Sequence, residues 1–116
     1  MDISVVIPLL DEQDSLVELH DWIAQTMQSN RLTYELIFID DGSRDQSWDI
    51  ITSLSRKNAS VFGLRFSKNF GKSQALHAGF EKAKGDVVIT MDADLQDSTD
   101  EIPELFYLIK NNHHDI

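Results

Sequence analysis

The sequence predicts one α/β domain, a mostly parallel sheet with helices on both faces. Three observations carry this reading. Short apolar runs alternate with segments of helical period in the order β-α-β-α-β-α-β-α, the pattern of a parallel sheet built from crossover units. The chain has 116 residues, enough for one modest core. Polar clusters follow the apolar runs: Asp11-Glu12, Asp40-Asp41, Ser67-Lys68-Asn69, and Asp92 with Asp94. In open α/β sheets that rim is where ligands bind. Loop polarity explains any one cluster; four on one rim are harder to dismiss.

Ile3 to Leu9 is almost wholly apolar and reads as a strand buried on both faces. Leu16, Leu19, Ile23 and Met27 recur at helical spacing, predicting a helix from about Gln13 to Gln28. Tyr34 to Ile39 is a second strand. Ser43 and Gln46 then have capping-box spacing, with Trp48, Ile51 and Leu54 continuing a helix. Val61 to Phe66 is a weaker third strand around Gly63. Gly71 to Ala83 reads as a helix with Leu76, Phe80 and Ala83 on one face, and Gly85 as its C-cap. Asp86 to Met91 is the fourth strand, with Val87, Val88 and Ile89 buried. Ser98 and Glu101 are placed to cap a last helix carrying Leu105, Leu108 and Ile109, with Pro103 tolerated in its first turn. Asp115-Ile116 resembles the start of another strand, so residues 1–116 are expected to be the first part of a longer domain.

Acidic residues outnumber basic ones 20 to 10. That argues against a nucleic-acid surface, which needs clustered Lys and Arg. With no cysteine there is no disulfide framework, thiol nucleophile or thiolate metal site. Asp2 stands where a signal peptide has basic residues, and the first apolar run stops at Leu10. No apolar stretch approaches the roughly 20 residues that cross a bilayer. These residues are expected to be cytoplasmic, with a membrane association left open for a longer protein. Pro8-Leu9-Leu10-Asp11-Glu12 supplies no glycine-rich phosphate turn, against a dinucleotide-binding domain.

The most informative run is Met91-Asp92-Ala93-Asp94-Leu95-Gln96-Asp97. Residues i and i+2 of an extended chain share a face, so both carboxylates can point at one site. Such a pair repels itself unless a cation or proton neutralises it. Hard oxygen donors suit Mg²⁺ or Mn²⁺, whose shell water and substrate phosphate complete. A solvated acidic loop is the alternative. Arg65, Lys68 and Lys72 fall within eight positions. They read either as a solvated basic face or as partners for a diphosphate, with Lys72 the first choice.

Four motifs in order now match a family. Val6-Ile7-Pro8-Leu9-Leu10-Asp11-Glu12, Ile39-Asp40-Asp41-Gly42-Ser43, Asn69-Phe70-Gly71-Lys72 with Ala75-Leu76 and Ala78-Gly79, and Met91 to Asp97 together resemble family 2 glycosyltransferases. The likeness is strongest to the branch acting on dolichol and undecaprenyl phosphates, and it covers essentially the whole chain. It departs at Asp11, where the family often has Asn, and at Ser98, where it often has Pro.

The resemblance implies a Rossmann-like GT-A fold, of which these residues are about the first half. It implies metal-dependent, inverting transfer from a nucleoside-diphosphate sugar, a UDP-sugar ahead of a GDP-sugar. The implied acceptor is a polyprenyl phosphate, and the implied setting cell-envelope glycan synthesis. Pro8 and Leu9 would wall the base, with strand-end packing the alternative. Glu12 would accept from ribose hydroxyls, or simply supply charge at a helix start. Asp41 would accept from a base N–H, with Gly42 making the turn after it. Asp40 reads as a helix cap, and Ser43 is favoured as one. Asp92, Asp94 and Gln96 would hold the metal, Gln96 being otherwise a loop amide. Asp97 would orient the loop or meet the sugar, or serve as a cap. The acceptor site, and any general base, would lie beyond Ile116. His77 reads as no ligand, His113 and His114 take no role, and Trp22 and Trp48 read as core. Two other classes compete: an aspartyl-phosphate phosphotransferase using Asp92, and a non-catalytic nucleotide-binding module.

Overall fold

A computed structural model of the chain describes residues 1–94 and 101–112. Its elements are β1 (Ile3–Leu9), α1 (Leu16–Ser29), β2 (Tyr34–Asp40), α2 (Ser47–Lys57), β3 (Val61–Arg65), α3 (Lys72–Lys82), β4 (Val87–Thr90) and α4 (Glu101–Asn112). The four strands are parallel, in the order β3-β2-β1-β4. β1 pairs with β2 from Ile3↔Tyr34 to Leu9↔Asp40 and with β4 from Ile3↔Val87 to Val6↔Thr90. The order reverses direction at β1. That reversal opens a crevice beyond the C-terminal ends of β1, β2 and β4.

Pleating sends alternate side chains of the central strands to two cores. Ile3, Val5, Ile7 and Leu9 of β1, with Leu36 and Phe38 of β2, meet α1, α2 and α4 through Leu16, Leu19, Ile23, Met27, Ile51, Leu54, Ile102 and Phe106. Val6, Ile37 and Ile39 turn to the other face, against Ala75 of α3. β1 is thus buried on both sides.

Several local expectations are corrected. α1 begins at Leu16 rather than near Gln13, because residues 13–15 form a turn closed by the Ser15 N–H donating to Glu12 O. β4 is an edge strand among the described residues, and Val88 is 41% exposed rather than buried. Trp22 is 45% exposed and outside the core. Trp48 packs against the larger core, with the Arg65 guanidinium 5.6 Å over its ring. In α3 the core takes Ala75 and Gly79, leaving Phe80 exposed. In α4 it takes Ile102 and Phe106, with Ile109 packed beside them, while Leu105 and Leu108 are exposed. Those three contacts are spaced i, i+4 and i+7, a true helical stripe.

Two glycines do different work. Gly85 is no left-handed cap; α3 ends at Lys82, with Ala83 as its C-cap. A Cβ on Gly85 would lie 2.6 Å from the Ser4 nitrogen, so its smallness lets the α3–β4 turn pass β1. Gly42 does make the expected turn, with φ +86°, and a Cβ there would lie 2.7 Å from the Lys68 carbonyl carbon. Gly42→Ala combines strain with a backbone clash and is expected to cost about 1–3 kcal/mol. A thermal melt should show the midpoint falling by roughly 5–15 °C.

Candidate functional site

At the C-terminal rim a cavity of about 550 Å³ is lined by Pro8, Leu9, Leu10, Glu12, Asp41, Asn69, Gly71, Lys72, Asp92, Ala93 and Asp94. The structure therefore brings together Pro8, Leu9, Glu12, Asp41, Lys72, Asp92 and Asp94 of the residues read as a site. Gln96 and Asp97 lie outside the described residues, as do the Ser98 cap, His113, His114 and the Asp115-Ile116 strand start. Leu10, Asn69, Gly71 and Ala93 are lining residues that the site reading did not include. All four already stood inside the motifs, between or beside the chosen side chains.

Each group is delivered by the end of an element. Pro8 and Leu9 close β1, and Leu9 pairs with Asp40 across the ladder. Asp41 follows β2 and is only 6% exposed. Its Oδ1 accepts from the Phe70 N–H at 2.7 Å, and its Oδ2 from the Gly71 N–H at 3.0 Å. Asp41 thus anchors the loop that enters α3. α3 starts at Lys72 with no acidic residue in its first turn, so its unpaired N–H groups and the Lys72 ammonium favour an anion beside them. Lys72 Nζ lies 3.0 Å from Asp92 Oδ1, with both side chains more than half exposed. His77 sits one turn further along, exposed and paired with Glu81 at 3.0 Å.

The basic trio divides. Lys72 faces the cavity with the two aspartates. Arg65 and Lys68 line a neighbouring cleft with Arg44, and Lys68 Nζ stands 5.3 Å from the Phe70 ring centre.

Ser43 and Asp40 are not helix caps. Helix α2 starts four residues after Ser43, at Ser47, with Gln46 at its N-cap. Ser43 Oγ accepts from the Asp11 N–H at 2.8 Å, and the Ser43 N–H donates to Asp40 Oδ1 at 2.7 Å. These bonds belong to a seam between the β1–α1 and β2–α2 loops. Asp11, at φ +53°, accepts from the Arg44 N–H at 2.8 Å. The Glu12 N–H donates to Ser47 Oγ at 3.0 Å, the Gln13 N–H to Asp45 Oδ2 at 3.2 Å, and the Gln46 N–H to Gln13 Oε1 at 2.9 Å. An Asp at position 11 therefore has local work in its backbone pose, which Asn and Asp tolerate best.

Desolvation pushes the Asp45 carboxyl up, but the hydrogen bonds it accepts from Ser47 and Gln13 outweigh this and hold it below its ordinary value of 3.8. A lowered folded value means stability that is complete above the ordinary value and lost as pH falls through the folded one. Asp45→Asn is expected to flatten the acid limb of the melting temperature below about pH 4. Melts from pH 2 to 7 would check this.

The residues fit a hard divalent cation. Two carboxylates, Asp92 and Asp94, reach one cavity, and an ammonium already sits on one of them. Among the described residues no three His, Cys, Asp or Glu side chains form a metal-holding group. Asp92 and Asp94 would supply the one or two carboxylates that an Mg²⁺ ion takes from a protein, with water and phosphate completing its shell.

The Glycosyl transferase family 2 model matches residues 4–116. The chain belongs to that family. It is 40% identical over 112 residues to the undecaprenyl-phosphate 4-deoxy-4-formamido-L-arabinose transferase of Pseudomonas savastanoi pv. phaseolicola, covering 96% of this chain and 33% of that one. The chain thus spans about a third of the length of such relatives. Among solved structures, S. aureus TarS 1–349 in complex with UDP-GlcNAc superposes with a TM-score of 0.79 at 20% identity, over 97% of this chain and 32% of that one. The mannosyltransferase PcManGT from Pyrobaculum calidifontis, in complex with GDP-Man and Mn²⁺, gives 0.76 at 22% identity, over 91% and 32%. The fold is that of GT-A glycosyltransferases, α/β with a parallel sheet.

Proposed function

We propose that these residues form the nucleotide-sugar-binding part of an enzyme that transfers a sugar, with inversion, from a nucleoside-diphosphate sugar to a polyprenyl phosphate. The observation that carries the reading is the cavity itself. One crevice holds an apolar wall, Pro8 and Leu9, a buried carboxylate, Asp41, and at its other side Lys72 with Asp92 and Asp94. That sequence of surfaces matches a base, a ribose and a diphosphate. Glu12 stands at the ribose and accepts from its hydroxyls.

In the transfer, an acceptor oxygen attacks the anomeric carbon as the bond to the nucleoside diphosphate breaks, and the bonding pair leaves with the diphosphate. A phosphate acceptor is already anionic and needs no general base. Lys72 moves from Asp92 to the diphosphate and offsets its charge. A bound Mg²⁺ or Mn²⁺, on Asp92, Asp94 and Gln96, would stabilise the departing diphosphate as a Lewis acid.

The lipid acceptor is supported by the name of the undecaprenyl-phosphate transferase relative. A UDP-sugar is favoured over a GDP-sugar, although the solved neighbours include one of each. Among the described residues no helix is long and apolar enough to cross a membrane. We place the activity at the cytoplasmic face of the membrane, where a lipid acceptor and a soluble donor meet.

The test is radiolabelled sugar transfer to undecaprenyl phosphate. A longer protein carrying this chain should transfer it, and the 116-residue chain alone should bind donor weakly and transfer nothing. Nucleotide binding without turnover in the longer protein would leave a binding module instead. Transfer by the short chain at the longer protein's rate would place the acceptor machinery within these residues.

A further inference from the structure

Ser15 occupies the N-cap of α1, yet makes no side-chain cap hydrogen bond. A serine there ordinarily accepts from an N–H in the first turn. Its hydroxyl is turned elsewhere. Ser15 Oγ lies 2.6 Å from the Ala93 carbonyl oxygen, 78 positions away in sequence. It also lies 3.2 Å from Glu12 O and 3.2 Å from Glu12 Oε2. Ser15 is 8% exposed and Ala93 4%, so water competes little for these bonds.

A hydroxyl carries one proton. All three neighbouring oxygens are acceptors while Glu12 is ionised, so that proton is shared among them, with the shortest contact at Ala93. Glu12 and Ala93 both line the cavity. Ala93 is the residue between Asp92 and Asp94, so its carbonyl belongs to the peptide that sets the spacing of the two carboxylates.

We propose that Ser15 is a positioning residue that couples nucleotide binding at Glu12 to cation binding at Asp92 and Asp94. The inference rests on the nucleotide-sugar reading of the cavity. When a ribose hydroxyl donates to Glu12 Oε2, that oxygen competes less for the Ser15 proton. The proton is then committed to Ala93 O, and the peptide between the two aspartates is fixed in place. Coupling of this kind is reciprocal, so a cation that fixes the same peptide strengthens nucleotide binding equally.

The test uses the 116-residue chain and its Ser15→Ala, Ser15→Cys and Ser15→Thr variants. UDP affinity is measured by calorimetry in Mn²⁺ and in EDTA, and Mn²⁺ affinity by water-proton relaxation with and without UDP. The ratio of the two UDP affinities is the coupling factor. Loss of one hydrogen bond predicts that Ser15→Ala lowers this factor about three- to tenfold. UDP affinity in EDTA should fall less than UDP affinity in Mn²⁺, the difference being the coupling lost between contacting groups. Ser15→Cys, close in size but a weak donor, should behave like Ser15→Ala and covers the case in which alanine does not fold. Ser15→Thr keeps the hydroxyl and should keep the coupling. An unchanged factor in the alanine or cysteine variant overturns the proposal. So does a loss of UDP affinity that is equal with and without Mn²⁺, or a threonine variant that fails with the others. A parent chain indifferent to Mn²⁺ overturns the metal reading of the cavity itself, whatever the variants do.

Discussion

Asp94→Asn is expected to abolish the gain in UDP affinity that Mn²⁺ provides. Asp92 and Asp94 both line the cavity, and Lys72 sits 3.0 Å from Asp92. One carboxylate with one ammonium is a nearly neutral pair. Asp94 brings a second carboxylate to the same cavity, and asparagine removes its charge while keeping the side chain's shape. Loss of partners merely adjacent to a metal costs about ten- to a hundredfold in metal affinity, so loss of a direct ligand should cost at least that. In EDTA the variant should bind UDP no worse than the parent, and slightly better, because one negative charge beside the diphosphate is gone. Calorimetry in Mn²⁺ and in EDTA separates the two effects. His77→Ala is the matched control. His77 is exposed and paired to Glu81 on its own helix, and its loss should leave both affinities unchanged. Equal UDP affinity in Mn²⁺ and EDTA for the parent would remove the metal role from Asp92 and Asp94 altogether.

The sequence was most informative where one periodicity governed a segment. The apolar runs at Ile3–Leu9 and Tyr34–Asp40 are strands because both faces are buried, and no other element uses such runs at that length. The rim location of the polar clusters followed from parallel topology alone. What escaped the reading was decided by contacts distant in sequence. Ser43 and Gln46 have capping-box spacing, yet the hydroxyl goes to Asp11, 32 positions away. Ser15 falls inside the segment read as helix from Gln13, and nothing local ties it to Ala93, 78 positions away. Val88 belongs to an apolar run but lies on a strand that is at the edge among the described residues, and a run does not say which strands are flanked. Which of Leu105, Phe106 and Leu108 faces inward depends on how α4 is rotated against the sheet, and an apolar-rich helix leaves that rotation open. Asp41 shows the same limit in the site. Its place at the rim was legible, but its two backbone donors from the loop before α3 were not.

Those donors sharpen the prediction for Asp41. A carboxylate that reads a base accepts from a ring N–H, which uracil and guanine have and cytosine lacks at N3. UDP and GDP should therefore outcompete CDP. Leaving a buried partner unpaired costs about 1–3 kcal/mol, roughly tenfold to a hundredfold in affinity. The competing account makes Asp41 only the anchor of residues 70 and 71, since both of its oxygens already accept from backbone N–H groups. Each carboxylate oxygen has a second lone pair, so the two roles are compatible. Asp41→Asn separates them. The amide keeps one acceptor oxygen and turns the other position into a donor, so the loop is expected to loosen and every nucleotide to bind more weakly. If Asp41 also reads the base, the amide now suits the N3 of cytosine, and the ratio of UDP to CDP affinity should fall by about tenfold or more. If Asp41 is the anchor alone, all affinities drop together and the ratio stays where it was. The ratio isolates recognition because loop damage is common to both nucleotides and cancels in it. Competition of UDP, GDP and CDP against a fluorescent UDP analogue, for the parent and for Asp41→Asn, measures it directly, and a parent chain that holds CDP as tightly as the other two would strip Asp41 of the base-reading role.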